Sequence, residues 1–197
     1  MNHSQKKKLV SAGSHFITKS MDKIFPAMLT VLICLSVQAG SVNLIKNGNF
    51  QEGMAGWGRI RGANGNIEIK GEKSKEFVQI SSKEGTAAIN SVYITQKLTP
   101  EAIKGRTLQL QAMVKANDVV MGKHSYSLGV ISLTWKGKNG RVHESAVRFK
   151  GTFDWKKINE IWDISDDCVE ATLYLGMHTT TGTICFDDVS LTVIQKK

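Results

Sequence analysis

Two stretches of sequence decide the fold: NLIKNGNFQEGMAGW at residues 43–57 and TICFDDVSLTV at residues 183–193. In the first, the apolar pair Leu44-Ile45 predicts the start of a short strand. The pair Asn47-Gly48 then supplies the turn chemistry that ends it. The second stretch reads as a closing strand. Together they predict the entry and exit of a single all-β domain.

The sequence between these stretches alternates between apolar and polar residues with the period of a strand. The clearest case is residues 107–116, where Leu108 and Leu110 point one way and Gln109 and Gln111 the other. Further strands are predicted at residues 67–69, 77–80, 88–98, 126–135, 142–149, 156–164, 171–178 and 183–193. Strands this short, at spacings of roughly 8–12 residues with almost no helical periodicity, predict a two-sheet antiparallel β-sandwich.

Both end stretches resemble the carbohydrate-binding modules of families 4, 9, 16 and 22. Those modules open with N-L-(hydrophobic)-x-N-G-D-F-E-x-G-x-x-G-W and close with an aromatic residue followed by D-D-V-S-L. The resemblance covers residues 42–193, and the chain departs from the pattern at Asn49 and Gln51, where Asp and Glu are usual. It implies a galactose-binding-like jelly roll.

Residues 1–39 have the composition of an export signal. Lys19 and Lys23 precede an apolar run at residues 24–37, and small residues permit cleavage after Ala39. Met21 is an alternative start of translation. The remaining residues, 40–197, predict one domain, secreted to the extracellular or periplasmic space and free of the membrane after cleavage.

Residues 40–197 hold 21 basic and 16 acidic residues, a net charge of +5. The lysines are spread singly along the chain. Because proteins that bind nucleic acid gather such charges into a stripe, no nucleic-acid partner is expected. We expect a monomer.

Two cysteines, Cys168 and Cys185, remain after cleavage. An even count in an exported chain is typical of a disulfide, and a bridge here would contribute roughly 3 kcal/mol. Two small buried thiols are the alternative.

Sequence motifs of common enzyme classes are absent from the sequence: it has no G-x-S-x-G, no H-E-x-x-H and no phosphate-binding loop. A glycosidase would need two carboxylates flanking a sugar bond, for which Glu144 and Glu160 are candidates. The motifs therefore favour binding over catalysis.

Sugars pack their C–H faces on aromatic rings and hydrogen-bond through their hydroxyls. Strand positions predicted to face outward supply these groups, and in the resembled modules the ligand lies in a cleft across one sheet. The candidate ligand-binding residues are Tyr93, Gln109, Gln111, Tyr126, Tyr174 and His178. Each of them alone is also compatible with a solvated sheet face.

The four tryptophans divide between the core and the surface. Trp57, Trp155 and Trp162 are predicted to be core residues. Trp135 shares the parity of core residues but stands beside a glycine-rich loop, so we also consider it as an aromatic platform at the rim of a site outside the cleft.

Many of the resembled modules hold a structural calcium ion near their chain ends. The resemblance implies that Glu52, Asp187 and Asp188 would be its ligands here, since calcium prefers oxygen ligands. Such an ion would pin the termini.

The sequence thus predicts a secreted, non-catalytic carbohydrate-binding module for a poly- or oligosaccharide. The first alternative is a β-sandwich for protein interaction or cell-surface assembly without sugar binding. The second is a small polysaccharide-degrading enzyme on the same fold.

Overall fold

The computed structural model describes residues 42–60, 65–72, 75–83 and 91–194. They all lie within the compact unit Ala39–Lys197. The proposed export signal, its cleavage site after Ala39 and the alternative start at Met21 lie outside the described residues. So do residues 88–90, the predicted beginning of one strand.

Ten strands and one short helix make up the described chain. Their bounds are β1 Gly58–Ile60, β2 Gly65–Glu72, β3 Lys75–Ser82, β4 Val92–Leu98, α1 Pro100–Ile103, β5 Thr107–Val120, β6 Gly129–Gly137, β7 Val142–Phe149, β8 Gly151–Asp163, β9 Cys168–Met177 and β10 Thr181–Ile194. Within these residues no helix has the length and apolar character needed to cross a membrane.

The strands form two five-stranded sheets in which every neighbouring pair is antiparallel. Sheet 1 has the order β1-β4-β9-β6-β7, and sheet 2 has the order β2-β3-β10-β5-β8. The predicted two-sheet antiparallel sandwich is confirmed. Neighbours in each sheet are mostly distant in sequence, so the faces of the sandwich combine residues from far apart in the chain.

The core lies between the two sheets and is built from alternate residues of each strand. In β5 the buried positions begin with Leu108 and Leu110, and in β9 they include Leu173 and Leu175. Each such side chain contributes roughly 1.5–3 kcal/mol by leaving water. The residues between them face outward, which leaves two external sheet surfaces for other uses.

The opening stretch is held together by one side chain, Asn47. Its Nδ2 donates to the carbonyls of Gly53 and Ala55 at 3.0 and 3.1 Å, and its Oδ1 accepts the Glu52 N–H at 3.1 Å. Its own carbonyl accepts the indole N–H of Trp57 at 3.1 Å. Asn47 has φ 49°, a left-handed conformation that asparagine tolerates better than most residues. The bend therefore depends on an asparagine at this position.

The same stretch is joined to the last strand. Val189 donates its N–H to the carbonyl of Gly48 at 2.9 Å, and Leu44 donates to the carbonyl of Leu191 at 2.8 Å. A Cβ at Gly48 would collide with the Val189 carbonyl oxygen, so only glycine permits this approach. The contact ties the two ends of the domain.

A buried glutamine attaches the bend to sheet 1. Gln96 in β4 accepts the N–H of Lys46 at 2.8 Å and donates to the carbonyls of Lys46 and Gly56 at 3.0 and 3.3 Å. Gln96 stands at an inward position of its strand and is buried. Its amide is satisfied by the backbone of the bend, which is why a polar residue is tolerated there.

Several strand boundaries differ from the sequence prediction. Leu44-Ile45 does not form a strand, because Asn43 makes only an isolated bridge to Thr192. Residues 126–128 precede β6 rather than belonging to it, since a turn occupies them. β8 begins earlier than predicted, at Gly151, whose φ of 82° suits glycine.

The predicted disulfide between Cys168 and Cys185 is absent, and both side chains are buried thiols. Cys168 begins β9 in sheet 1, and its Sγ donates to the Glu170 carbonyl at 3.6 Å. Cys185 lies in β10 of sheet 2, between Ile184 and Phe186, which point into the core. Its side chain therefore points away from the opposite sheet, and the second alternative from the sequence is the correct one.

Replacement of Asn47 tests the bend. Asn47→Ala removes three side-chain hydrogen bonds and should lower the free energy of unfolding by about 2 to 4 kcal/mol. Denaturant unfolding measures this. The matched control is Asn66→Ala, which removes a single exposed bond to Glu68 and should change stability by under about 0.5 kcal/mol. Equal effects of the two variants would contradict the role assigned to Asn47.

Peptide mapping tests the cysteines. Because Cys168 and Cys185 lie in different sheets, non-reducing digestion of the purified protein should give no peptide in which the two are linked. The control is a sample that is unfolded and then oxidised, in which a peptide linking Cys168 to Cys185 should form. Finding the linked peptide in the native sample would refute this arrangement.

Candidate functional site

The outer face of sheet 1 gathers the aromatic residues that the sequence singled out. Tyr93 of β4 pairs with Gly176 of β9, and Thr95 pairs with Tyr174. A Cβ at Gly176 would come within 2.7 Å of Tyr93 Cδ1, so glycine leaves room for the tyrosine ring beside β9. The local sequence of β9 thereby allows Tyr93 and Tyr174 to pack edge to face.

Five rings follow one another across this face, and we call them the aromatic row: His124, Tyr126, His178, Tyr93 and Tyr174. Successive ring centroids along it lie 5.0, 5.5, 6.1 and 5.7 Å apart. The first pair is nearly parallel, with an interplanar angle of 14°, whereas the last is T-shaped at 78°. Such contacts are each worth about 0.5–1.5 kcal/mol beyond burial. They hold the rings in a continuous series.

Hydrogen bonds fix the centre of the row. The hydroxyl of Tyr93 and that of Ser91, the latter at 3.3 Å, both bond to Nδ1 of His178. Burial raises the pKa of Tyr93 to about 12 and lowers the pKa of His178 below its usual value. Both side chains are therefore neutral at neutral pH.

A charged pair from β7 stands beside the row. Arg148 donates from a guanidinium nitrogen to Glu144 Oε2 at 3.1 Å. With the aromatic side chains, the pair encloses a cavity of about 200 Å³ lined by Tyr93, Tyr126, Val130, Ser132, Glu144, Arg148 and His178. The cavity thus offers ring faces, an acceptor, a donor and a hydroxyl within a single cleft.

The loop carrying His124 and Tyr126, residues 121–128, is fixed by its own backbone and by the residues that directly follow β9. Gly122 donates to the Ser127 carbonyl, and Ser127 donates to the His124 carbonyl, both at 2.9 Å. The fully buried Ser127 hydroxyl bonds to that of Thr179 at 2.7 Å. These bonds set where the first two rings of the row lie.

The structure brings together four of the predicted ligand-binding residues: Tyr93, Tyr126, Tyr174 and His178. Gln109 and Gln111 lie elsewhere, because β5 belongs to sheet 2 and its outward side chains point away from sheet 1. There both amides donate to Oδ1 of Asn159, at 2.8 and 3.5 Å. They are not part of the cleft.

Trp135 is a core residue and cannot serve as the rim platform considered from the sequence. Its side chain is 7% exposed, and its indole N–H donates to Ser165 Oγ at 3.0 Å. One of its faces stacks on His143 with an interplanar angle of 11°. The alternation of apolar and polar residues along β6, rather than the glycine-rich loop beside it, correctly indicated that Trp135 is buried.

The remaining tryptophans divide between core and surface. Trp57 and Trp162 are buried, as expected. Trp155 is only half-buried and packs edge to face on Phe77, with ring centroids 5.3 Å apart. Phe77 alternates with the core residue Val78, so this contact is on the outer face of sheet 2. The core prediction for Trp155 is wrong.

The acidic residues proposed for calcium do not form a cluster. Within the described part of the chain, no three His, Cys, Asp or Glu side chains come together in a way that could hold a metal ion. Asp187 is buried, which raises its pKa, and it accepts the N–H of Asp188 at 2.7 Å. Glu52 is exposed on the bend. The donor set does not fit calcium by its side chains alone, and calcium binding stays a prediction.

Sequence reasoning did not assign four residues in or beside this cleft to ligand binding: His124, Ser132, Glu144 and Arg148, of which Glu144 was considered only as a glycosidase carboxylate. A signal existed for three of them. The Asn-Gly hairpin at residues 139–140 fixes the pairing of β6 with β7, which puts Ser132, Glu144 and Arg148 on one face. His124 lies in a loop, where no periodicity indicates direction.

No family model and no curated protein matches this sequence. Solved structures do share its fold. The enzymatically active domain of tailspike protein 4 of bacteriophage CBA120 matches with a TM-score of 0.60 at 13% identity, over 78% of this chain. This chain spans only 22% of the tailspike chain.

Two isolated modules match over nearly their whole length. The CBM22-1 xylan-binding domain of Xyn10C from Paenibacillus barcinonensis matches with a TM-score of 0.56 at 16% identity, over 80% of this chain and 97% of the module. A family 16 carbohydrate-binding module matches with a TM-score of 0.53 at 18% identity, over 76% and 99%. The resemblance seen in the end stretches is thus confirmed in the fold: this chain is similar in structure to carbohydrate-binding modules of families 22 and 16.

Proposed function

We propose that this protein is a non-catalytic carbohydrate-binding module that binds a poly- or oligosaccharide in the cleft on the outer face of sheet 1. The aromatic row is the observation that carries this proposal. A chain of sugar rings needs repeated apolar ring surfaces with polar groups beside them, and the row supplies both on one face of sheet 1. The name of the Paenibacillus module, a xylan-binding domain, is consistent with this class of ligand.

Each part of the cleft has a role in binding. Tyr126, 47% exposed, presents ring surface to a sugar in the cavity, and the half-buried Tyr174, which packs on Tyr93, extends that surface at the end of the aromatic row. Glu144 accepts and Arg148 donates hydrogen bonds, so together they suit adjacent hydroxyls on one sugar. Because the pair is already formed without ligand, little side-chain freedom is lost on binding.

The arrangement of carboxylates favours binding over hydrolysis. Glu144 is the only carboxylate among the described residues that line the cavity. Glu160, the other candidate, lies in β8 of sheet 2. A glycosidase requires two carboxylates on opposite sides of one bond, which these two do not supply.

The export signal predicted at residues 1–39 supports a location outside the cytoplasm. We propose that the protein acts outside the cytoplasm, in the extracellular or periplasmic space, as a monomer. Its partner there is a polysaccharide. The alternative is an assembly role without sugar binding, and the next experiment distinguishes it from polysaccharide binding.

Native gels containing soluble polysaccharides test the ligand class. With a panel of xylan, hydroxyethylcellulose, mixed-linkage β-glucan and galactomannan, at least one should retard the purified protein. Tyr126→Ala and Tyr174→Ala should each raise Kd for that polysaccharide by about tenfold, since each removes one ring contact of about 1 kcal/mol and its exclusion of water.

The matched control is Gln109→Ala, on the outer face of sheet 2, which should leave retardation unchanged. Loss of retardation in that variant, with the tyrosine variants unaffected, would move the site to the other sheet. If no polysaccharide retards the wild-type protein, the assembly role takes the place of this proposal.

Assays of reducing ends test catalysis separately. Incubation of the protein with the same panel should release no reducing sugar above background, because Glu144 lacks a second carboxylate in the cleft. Glu144→Gln should give the same background. Release by the wild-type protein that disappears in Glu144→Gln would establish the enzyme alternative instead.

A further inference from the structure

His178 connects the two halves of the aromatic row. Its ring contacts Tyr126 on one side, at 5.5 Å between centroids, and Tyr93 on the other, at 6.1 Å. Its backbone N–H donates to the Leu128 carbonyl at 2.9 Å, which fixes the residue directly after β9. A change in the protonation or position of the His178 ring therefore affects both Tyr126 and Tyr93.

The hydrogen bonds at Nδ1 depend on which nitrogen carries the proton. Two hydroxyls, those of Tyr93 and Ser91, approach this single nitrogen. Each hydroxyl can donate or accept, so the tautomer decides the direction of the hydrogen bond: an unprotonated Nδ1 accepts, whereas a protonated Nδ1 donates to a hydroxyl oxygen. In the neutral imidazole with its proton on Nε2, the single lone pair of Nδ1 accepts from the hydroxyl of Tyr93, the closer of the two.

Three elements contribute the titratable and charged groups around His178. β4 contributes Tyr93, which stays neutral because its pKa is about 12. The 121–128 loop contributes Tyr126, with His124 stacked behind it. β7 contributes the Glu144–Arg148 pair, whose two charges act on His178 in opposite directions. Burial is the largest influence on the imidazole, and it favours the neutral form.

We propose that His178 is a positioning residue of the cleft: through its unprotonated Nδ1 it holds the hydroxyl of Tyr93, and so orients the ring against which the saccharide packs. This rests on the proposed function of the same cleft. His178 then need not touch the ligand. Its contribution is to keep Tyr93 between Tyr174 and Tyr126 in one orientation.

Protonation of His178 reverses this hydrogen bond. With a proton on both nitrogens, Nδ1 becomes a donor, and the hydroxyls of Tyr93 and Ser91 must turn their own hydrogens away and accept from it instead, which changes how Tyr93 is held. Because burial lowers the pKa of His178 below 6.5, the neutral form predominates at pH 7.5 and the imidazole is half protonated only at a pH below 6.5. Affinity for saccharide should therefore change little between about pH 8 and 7.5 and should fall in more acidic solution.

Binding measured against pH, with the polysaccharide that retards the wild-type protein in the panel above, tests the proposal. Kd of the wild-type protein should rise about tenfold between pH 7.5 and about pH 5, the value of one hydrogen bond. His178→Ala should bind about tenfold more weakly at pH 7.5 and show no further fall in acid. His178→Asn places an amide oxygen close to the position of Nδ1, and should recover most of the lost affinity while removing the pH dependence.

Two other histidines serve as controls. His143→Asn removes an imidazole stacked on Trp135, outside the row, and should keep the pH profile of the wild-type protein. His124→Asn, which removes the other histidine of the row, should also keep the fall in acid. If the fall disappears in His124→Asn and persists in His178→Asn, the wrong histidine has been identified and the proposal is overturned.

Nuclear magnetic resonance of the histidine ring nitrogens supplies a measurement without ligand. At pH 7.5, long-range proton–nitrogen spectra should show His178 with its proton on Nε2, and Tyr93→Phe should shift the Nδ1 signal. A proton on Nδ1 at pH 7.5 refutes the proposal directly. If no polysaccharide in the panel retards the wild-type protein, the proposed function and the role of His178 in binding both fail. A retarded protein whose His178→Asn variant keeps the pH profile rejects only the role of His178.

Discussion

The close approach of Gly48 to the backbone of Val189 is the constraint on which the rest of this sandwich depends. The Val189 N–H donates to the Gly48 carbonyl at 2.9 Å, at a place where any Cβ on residue 48 would collide with the Val189 carbonyl oxygen. β10, which carries Val189, pairs with both β3 and β5 in the middle of sheet 2. The contact therefore fastens the opening bend to the centre of one sheet. Gln96 fastens the same bend to β4 of the other.

This attachment explains why the two end stretches carry the family resemblance while the strands between them do not. Asn47 and Gly48 each satisfy a requirement of backbone geometry that few residue types can meet. A core position such as Leu110 needs only an apolar side chain of suitable volume. Sequences of one fold can thus diverge in their strands while keeping the bend.

The sequence was sufficient to predict the faces of the strands but not their order. Alternation correctly assigned Gln109 and Tyr174 to outward positions. It could not show that β5 and β9 belong to different sheets, because that depends on pairing between strands distant in sequence. For the same reason the sequence left open whether Cys168 and Cys185 form a disulfide or remain buried thiols. His124 was missed because the direction of a loop residue follows from tertiary hydrogen bonds, here those of Ser127, rather than from periodicity.

A difference between the two outer faces explains why the proposed site lies on sheet 1. On sheet 2, Phe77 of β3 and Trp155 of β8 meet edge to face across the two strands that separate them. Cys185 and Asp187 lie on β10 between them and are only 6% and 7% exposed, although both point away from the core. The aromatic residues of sheet 2 are thus used to cover their own sheet. On sheet 1 the rings follow one another along the surface beside a cavity, since Gly176 opens space next to Tyr93. Among the residues that the structure describes, it is the rings of sheet 1 that line a cavity.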